Sequence, residues 1–354
     1  MKKLLLILTL SLALFSLAAK PVKNVIFLIG DGMGLNQVYA AALVKGAPLY
    51  MMQDTKTGLI LTYSYDNGIT DSAAGGTALA TGVKTRNSMI GMGPDSLNVE
   101  SLLHMAARNG KSTGVMSTSA LTHATPASFV ANQVSRGMQN EIALDFVKQG
   151  PDVFIGGGRR YFEEREDGVD LTEQLKSKGY EVVYDLEQAE ASGSAKLAAL
   201  LADDHLPDVI SGREYLLPEA LNIALERLSR NKKGFFLMVE GSKIDMRCHV
   251  HDIMGSVAET LEFDETVKVA LDFARKNKNT LVIVTADHET GGLSVLQNAP
   301  YRKGEELIVH FSTGGHSGVP VPVYSYGPGS DNFTGVLENT YFKATLARLM
   351  KLKP

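Results

Sequence analysis

The chain has one cysteine, Cys248, no tryptophan, and no apolar run long enough to cross a bilayer. A single cysteine excludes an intramolecular disulfide, so stability has to come from the core or from bound ions. The main apolar run, Leu4 to Leu17, falls short of the ~20 residues a spanning helix needs, which excludes a polytopic membrane protein. No Pro-rich linker, internal repeat or long block of one charge interrupts the chain. The formal charge is only −4 over 354 residues, and it is negative, which argues against a broad nucleic-acid footprint. With 44% hydrophobic and 21% charged residues, the composition also excludes a disordered or collagen-like chain.

The first residues read as an address rather than as fold. Lys2 and Lys3 precede the apolar run, and Ser16-Leu17-Ala18-Ala19 supplies small residues for cleavage. Residues 1–19 are therefore expected to be a secretory signal peptide, the alternative being a retained anchor. The mature chain, 20–354, is expected in a periplasm or secreted, with no membrane attachment after cleavage. Its length suits one large domain or two small ones, and the absence of a linker favours one.

Strand and helix patterns alternate along it. Strands are expected at Val22–Ile29, Thr113–Ser117, Asp152–Ile155, Glu181–Tyr184, Phe235–Val239 and Leu281–Thr285. Helices are expected to about Val44 and over Ser101–Arg108, Glu141–Lys148, Leu171–Ser177, Pro218–Arg230, Met254–Lys276 and Tyr341–Leu352. Glu163–Asp170 reads as an exposed loop, and Tyr161–Asp208 is the least regular part. Several strands are continuous apolar runs, as strands buried on both faces are. The pattern predicts a three-layer α/β/α sandwich around a central, mostly parallel sheet.

Ligands in such sheets bind beyond the carboxyl ends of the strands. Asp31 follows the first strand. His123 and Thr125 follow the second. Glu240, Asp245 and His249 follow Phe235–Val239, and Asp287 and His288 follow Leu281–Thr285. Gly314-Gly315-His316 precedes a further apolar stretch. Each residue alone has a bland reading: Asp31-Gly32 as a turn, Asp287-His288 as a polar loop, Ser72 as a helix cap. Together they direct carboxylates and imidazoles to one sheet edge. Asp and His suit zinc, whereas Asp, Glu and Thr oxygens suit magnesium. Gly156-Gly157-Gly158 is not a phosphate loop, because no lysine-serine pair follows it.

The ordered blocks resemble the alkaline phosphatase family. They are Asp31-Gly32-Met33-Gly34; Thr70-Asp71-Ser72-Ala73-Ala74 leading to Thr81-Gly82-Val83-Lys84-Thr85; His123-Ala124-Thr125-Pro126-Ala127 with Arg136; Glu240-Gly241-Ser242-Lys243-Ile244-Asp245 with His249; Thr285-Ala286-Asp287-His288-Glu289; and Gly314-Gly315-His316. The resemblance implies an exported phosphomonoesterase that acts on small-molecule phosphate monoesters through a phosphoserine. It implies Ser72 as nucleophile and Arg136 as phosphate-binding residue. Asp245, His249 and His316 would hold one zinc, and Asp287 and His288 a second. Asp31 would bridge to a third site, completed by Glu240 and Thr125 and usually filled by magnesium. It also implies a homodimer, although residues 159–233 are too few for the large insertions of longer members. Asp71 and Lys84 are expected to support the serine loop.

Two positions depart from part of the family. His123 stands where some members have aspartate, which opens the third site to zinc. Met246 stands where some members carry a lysine that reaches phosphate, so weaker product binding is expected. His104, His205, His251 and His310 have no role in the motifs. His104 and His205 are expected to be structural or solvated, and Cys248 to be a bland or mildly reactive thiol. Among rivals, sulfatases need a Cys/Ser-x-Pro-x-Arg setting that Ser72-Ala73-Ala74 lacks. Phosphomutases add a second domain for which there is no room. A phosphodiesterase, or a binding protein that no longer catalyses, is the alternative left open.

Overall fold

The apolar runs become the inner strands of a ten-stranded sheet in the computed structural model, which describes residues 22–297, 300–302 and 304–354. The expected signal peptide lies outside the described residues. In chain order the strands are β1 (Asn24–Gly30), β2 (Lys56–Leu61), β3 (Ser112–Ala120), β4 (Val153–Gly157), β5 (Glu181–Val183), β6 (Leu197–Leu200), β7 (Phe235–Gly241) and β8 (Thr280–Thr285). Two short ribbons follow. One pairs β9 (Glu289–Thr290) with β12 (His316–Ser317), and the other pairs β10 (Leu293–Val295) with β11 (Val309–Phe311). Strands β13 (Val321–Tyr326) and β14 (Gly335–Glu338) return to the main sheet.

The sheet order is β14-β2-β13-β8-β1-β7-β3-β4-β6-β5. Only β13 runs antiparallel to its neighbours, β2 and β8. Helices cover both faces, giving the α/β/α sandwich. Strands β1, β7 and β8 are buried along their whole length, because each has a sheet neighbour on both sides and helices above and below. Their registers align the carboxyl ends: Ile29 of β1 opposes Glu240 of β7 and Thr285 of β8. The residues that follow these three strands therefore emerge side by side.

Helix limits follow local chemistry. Helix Leu216–Leu228 begins two residues before Pro218, which still falls in the first turn, where its missing N–H leaves no bond unmade. Helix Tyr341–Leu349 ends before the expected Leu352, and Lys351 adopts a left-handed φ of 55°. In the polar stretch expected to be an exposed loop, Arg165 is instead buried. It ties Asp167 to the Asn140 and Tyr161 carbonyls. The triple glycine ends β4 against another segment: a Cβ on Gly157 would run into the Asp204 carbonyl.

Phenylalanines fill the two layers beside the sheet. Phe27 of β1 lies 6.1 Å from Phe129 and 5.5 Å from Phe342, ring centroid to centroid, so it joins helices Ala124–Val130 and Tyr341–Leu349 to the central strand. Phe146, Phe154 and Phe162 form a second cluster over β4. Phe27→Ala is expected to destabilise the fold by about 3–5 kcal/mol in denaturant unfolding, and Phe27→Leu by much less. Equal effects from both would show that the Phe27 cavity is not what costs the stability.

Candidate functional site

Four adjacent strands supply the site. Asp31 follows β1, His123 and Thr125 follow β3, Glu240 is the penultimate residue of β7, and Asp287 and His288 follow β8. Asp245 and His249 sit one turn apart on helix Lys243–His249, so both face the same way. His316 enters on β12, opposite Thr290 of β9. Gly32 has a φ of 71°, and a Cβ there would meet Asp245 and Thr290 at 3.0 Å or less. Its N–H donates to Asp287 Oδ1 at 3.2 Å. Glycine is needed at this point of close approach.

The imidazoles converge by their Nε2 atoms. His249 Nδ1 lies 2.8 Å from the Gly314 carbonyl, and His316 Nδ1 lies 2.8 Å from the Thr70 carbonyl. A carbonyl can only accept, so each Nδ1 carries a proton and each Nε2 is the ring nitrogen left to face inward. Those Nε2 atoms lie 3.2 and 3.5 Å from Asp245 Oδ1. His288 stacks on His316 with ring centroids 3.5 Å apart. His288 Nε2 is 3.3 Å from both Asp31 Oδ1 and Asp287 Oδ2, and 3.1 Å from Ser72 Oγ. Three sets bring their ligand atoms within 4.8 Å of one another: Asp245, His288 and His316; Asp31, Asp287 and His288; and Asp31, His123 and Glu240.

Ser72 is the first residue of helix Ser72–Thr81 and not its cap. Asp71 caps the helix through Oδ1, which accepts from the Ala74 N–H at 2.9 Å, leaving the serine hydroxyl free to face the site. The second oxygen of Asp71 accepts from the Ser88 N–H at 3.0 Å and from Arg136 Nη1 at 3.3 Å. Arg136 Nη2 donates to His123 Nε2 at 3.2 Å. One carboxylate thus sets both Ser72 and Arg136. Lys84 steadies the preceding loop by donating to the Tyr63 carbonyl at 2.6 Å and pairing with Glu338 at 3.1 Å.

The electrostatics are those of crowded, dry carboxylates. Burial, reinforced by Asp287, Asp245 and Glu240, raises the Asp31 pKa well above the usual carboxylate range. Burial pushes Asp287 up to about 8 and Glu240 up to about 7. Burial works the same way on Asp245, but hydrogen bonding from His249 and the nearby imidazoles prevail and hold it low. The bond to Asp245 lifts His249 to about 9. Burial drives His288 well below the ordinary imidazole value, and burial with Arg136 drives His123 to about 3. Both oxygens of Asp31, Glu240 Oε1, Asp287 Oδ2, Thr125 Oγ1 and His123 Nδ1 are buried with no hydrogen-bond partner. Buried polar atoms are normally satisfied, so this donor set fits divalent cations.

Other residues join the site that no motif marked. Thr290 Oγ1 donates to Asp245 Oδ1 at 2.5 Å and lies 3.2 Å from His288 Nδ1. Asp208 grips Lys243 and Arg247, both at 2.6 Å, and so fixes the helix that carries Asp245 and His249. His205, expected to be structural or solvated, packs edge-on to His123 at 5.4 Å, and its Nδ1 accepts from the Ala120 N–H at 3.0 Å. His251 lies outside the cluster, stacked on Phe311 and bonded at 3.0 Å to the Thr313 carbonyl. Cys248 turns away: it is buried against Ser256, and burial pushes its thiol up to about 12.

Comparison with known proteins gives a consistent picture. A sequence profile of the family described as alkaline phosphatase matches residues 22–306. The structure of alkaline phosphatase from the Antarctic bacterium TAB5 is similar, with a TM-score of 0.90 and 40% identity over 95% of this chain and 100% of that one. A histidine-to-aspartate mutant of that enzyme, solved with magnesium bound in its M3 site, gives a TM-score of 0.88 at 39% identity, over 95% of this chain and 100% of its own. Alkaline phosphatase 4 of Bacillus subtilis is 33% identical over 93% of this chain and 89% of its own length.

Metal removal has a signed consequence. Asp31, Glu240 and Asp287 have folded pKa values above their unfolded ones. Without cations, the stability they allow is therefore complete below about pH 4 and lost as the pH climbs towards 8. The melting temperature of chelator-treated protein is expected to fall between about pH 5 and about pH 8, and added divalent cation to restore more at the higher pH. Restoration independent of pH would contradict this account of the site.

Proposed function

The chain belongs to the alkaline phosphatase family and is a metal-dependent phosphatase, and on that premise we propose that it hydrolyses phosphate monoesters through a phosphoserine on Ser72. The observation that carries the reading is the Ser72 hydroxyl, 3.1 Å from His288 Nε2, free at a helix N-terminus beside the acid and imidazole cluster. Asp245, His249 and His316 are proposed to hold one zinc, and Asp287 and His288 a second. Asp31 reaches towards a third cation with Glu240 and Thr125. The third site is proposed for magnesium. His123, which shares a cluster with Asp31 and Glu240, leaves it open to zinc. The TAB5 mutant that replaces a histidine with aspartate and carries magnesium in M3 supports that distinction.

Divalent cations bound there would ease deprotonation of a hydroxyl or water and offset charge on the transferring phosphoryl group. The chain does the rest. Ser72 Oγ gives up its proton to solvent and attacks phosphorus, the bond to the ester oxygen breaks, and the alcohol leaves with a proton from solvent. Arg136, already oriented by Asp71, grips two non-bridging oxygens in a planar fork. A monoester has three non-bridging oxygens and keeps two for the arginine when one faces the cations, whereas a diester has two and keeps one, which favours the monoesterase reading. The amides that open the Ser72 helix add partial positive charge. Water then releases phosphate from Ser72.

Residues 20–354 are proposed to be one catalytic unit, exported by residues 1–19 to a periplasm or beyond. No helix among the described residues is long and apolar enough to cross a membrane. Exposed Leu35 and Tyr39, one turn apart on one helix, support a homodimer contact.

The test is metal analysis of the purified protein together with aryl phosphate hydrolysis from neutral to alkaline pH. Bound zinc and turnover are expected, with Ser72→Ala lowering kcat by roughly 10³-fold or more. Bound zinc with no hydrolysis would overturn the reading, as would faster turnover of a bis-aryl phosphate. Met246→Lys is expected to tighten inhibition by inorganic phosphate. An unchanged inhibition constant would show that Met246 does not set product binding.

A further inference from the structure

The same four strands that carry the site begin, at their other ends, in lysines. Lys278 lies two residues before β8, Lys23 precedes β1, Lys232 and Lys233 precede β7, and Lys111 precedes β3. These strands are consecutive in the sheet, in the order β8-β1-β7-β3, and mutually parallel. Neighbouring strands are ~4.8 Å apart, so the lysines form a row ~15 Å long, within which charges act together at physiological salt. Lys23, Lys111 and Lys233 also line one cavity of about 270 Å³ with Lys351.

The row is not neutralised from within. Among the described residues, Lys23, Lys111, Lys232, Lys233, Lys278, Lys351 and Lys353 have no carboxylate within 4.0 Å. Several acids are already taken: Glu100 by Arg108, Glu226 by Arg230, Asp272 by Lys268 and Arg275, and Asp331, which shares a cavity with Lys278, by Lys56. Asp152 accepts from the Thr113 N–H. Lys111 is held by the carbonyls of Lys23 and Lys233 at 2.8 and 2.7 Å, and burial with Lys23 nearby draws its pKa down to about 8.

Helix dipoles do not account for the row. They favour cations in the last helical turn, where Arg108, Arg227, Lys276 and Arg348 already stand. The lysines lie beyond those turns, where the dipole effect has fallen off. A concentrated cationic edge on a chain of net charge −4 needs another explanation.

We propose that this edge is a contact face for an anionic phospholipid surface. Adsorption there is electrostatic and peripheral, without insertion. The intervening strands are ~20 Å long, so a chain bound in this way turns its catalytic edge towards solvent. The inference rests on the lysine row and the sheet topology, and not on the reaction assigned to the other edge.

The test is co-sedimentation of the metal-loaded protein with vesicles of phosphatidylcholine containing about one-third phosphatidylglycerol. Pelleting is expected at low salt, and release at about 0.5 M salt. The triple variant Lys23→Gln, Lys233→Gln, Lys278→Gln is expected to lose roughly fivefold in partitioning per charge, about 100-fold in all. Its aryl phosphate turnover should match wild type, which confirms that it is folded. No pelleting by wild type would overturn the proposal. So would equal binding to pure phosphatidylcholine, binding insensitive to salt, or a triple variant that binds as wild type does.

Discussion

Asp31, Glu240, Asp245 and Asp287 end up buried side by side because the strands that deliver them are neighbours. Two like charges 4 Å apart at an effective dielectric of 20 repel by about 4 kcal/mol, so four cannot stay ionised together without compensation. The protein supplies little of it. Asp245 has three imidazoles, and Asp287 has the Gly32 amide at 3.2 Å, but both oxygens of Asp31 have no partner. Arg136 acts on Asp31 through space, but it is engaged with Asp71 and His123. What remains must come from bound cations, and this requirement explains several otherwise unrelated features. Gly32 has to be glycine so that β1 can end against Asp245 and Thr290. His249 and His316 have to spend their Nδ1 protons on backbone carbonyls so that their Nε2 atoms face inward.

The same economy governs the phosphate end of the site. Asp71 is one carboxylate with three tasks: a helix cap through one oxygen, and a loop anchor and an arginine clamp through the other. The cap forces Ser72 into the first helical turn, where its hydroxyl has no backbone amide to satisfy. The clamp fixes Arg136 relative to that hydroxyl. Ser72 and Arg136 are thereby set relative to each other by one rigid group, the kind of preorganisation that near-attack geometry needs.

How much of this was legible follows from the same physics. The inner strands announced themselves because burial on both faces leaves no polar alternation, as in Phe235–Gly241. Strands β2 and β6 did not. Lys56–Leu61 opens with two exposed residues at the sheet margin, and Leu197–Leu200 is only four residues long, too short to tell from a helical turn. Among site residues, the acids and histidines at strand ends stood out because their position in an α/β alternation is itself informative. Thr290 and His205 carried no such mark. Thr290 reaches Asp245 across 45 residues, and the Ala120 amide reaches His205 across 85, and nothing in either local sequence encodes the approach. Asp71 and Ser72 show a subtler limit: Ser72 alone reads as a cap, and only the fold shows that Asp71 spends its oxygen on the backbone instead.

A parallel sheet has two chemically different edges, and this chain uses the difference throughout. Helices return antiparallel to the strands, so their amide ends gather where the strands finish and their carbonyl ends gather where the strands start. The finishing edge can therefore tolerate carboxylates, and the starting edge favours cations in the last turns of its helices, where Arg108, Arg227 and Lys276 stand. An antiparallel sheet would mix the two ends and cancel the polarity. The one antiparallel strand in the main sheet, β13, lies outside the β8-β1-β7-β3 block and contributes none of the cluster's ligands. His316 reaches the site from the separate β9–β12 ribbon instead, and so brings an imidazole to the finishing edge without reversing a strand in the block that creates it.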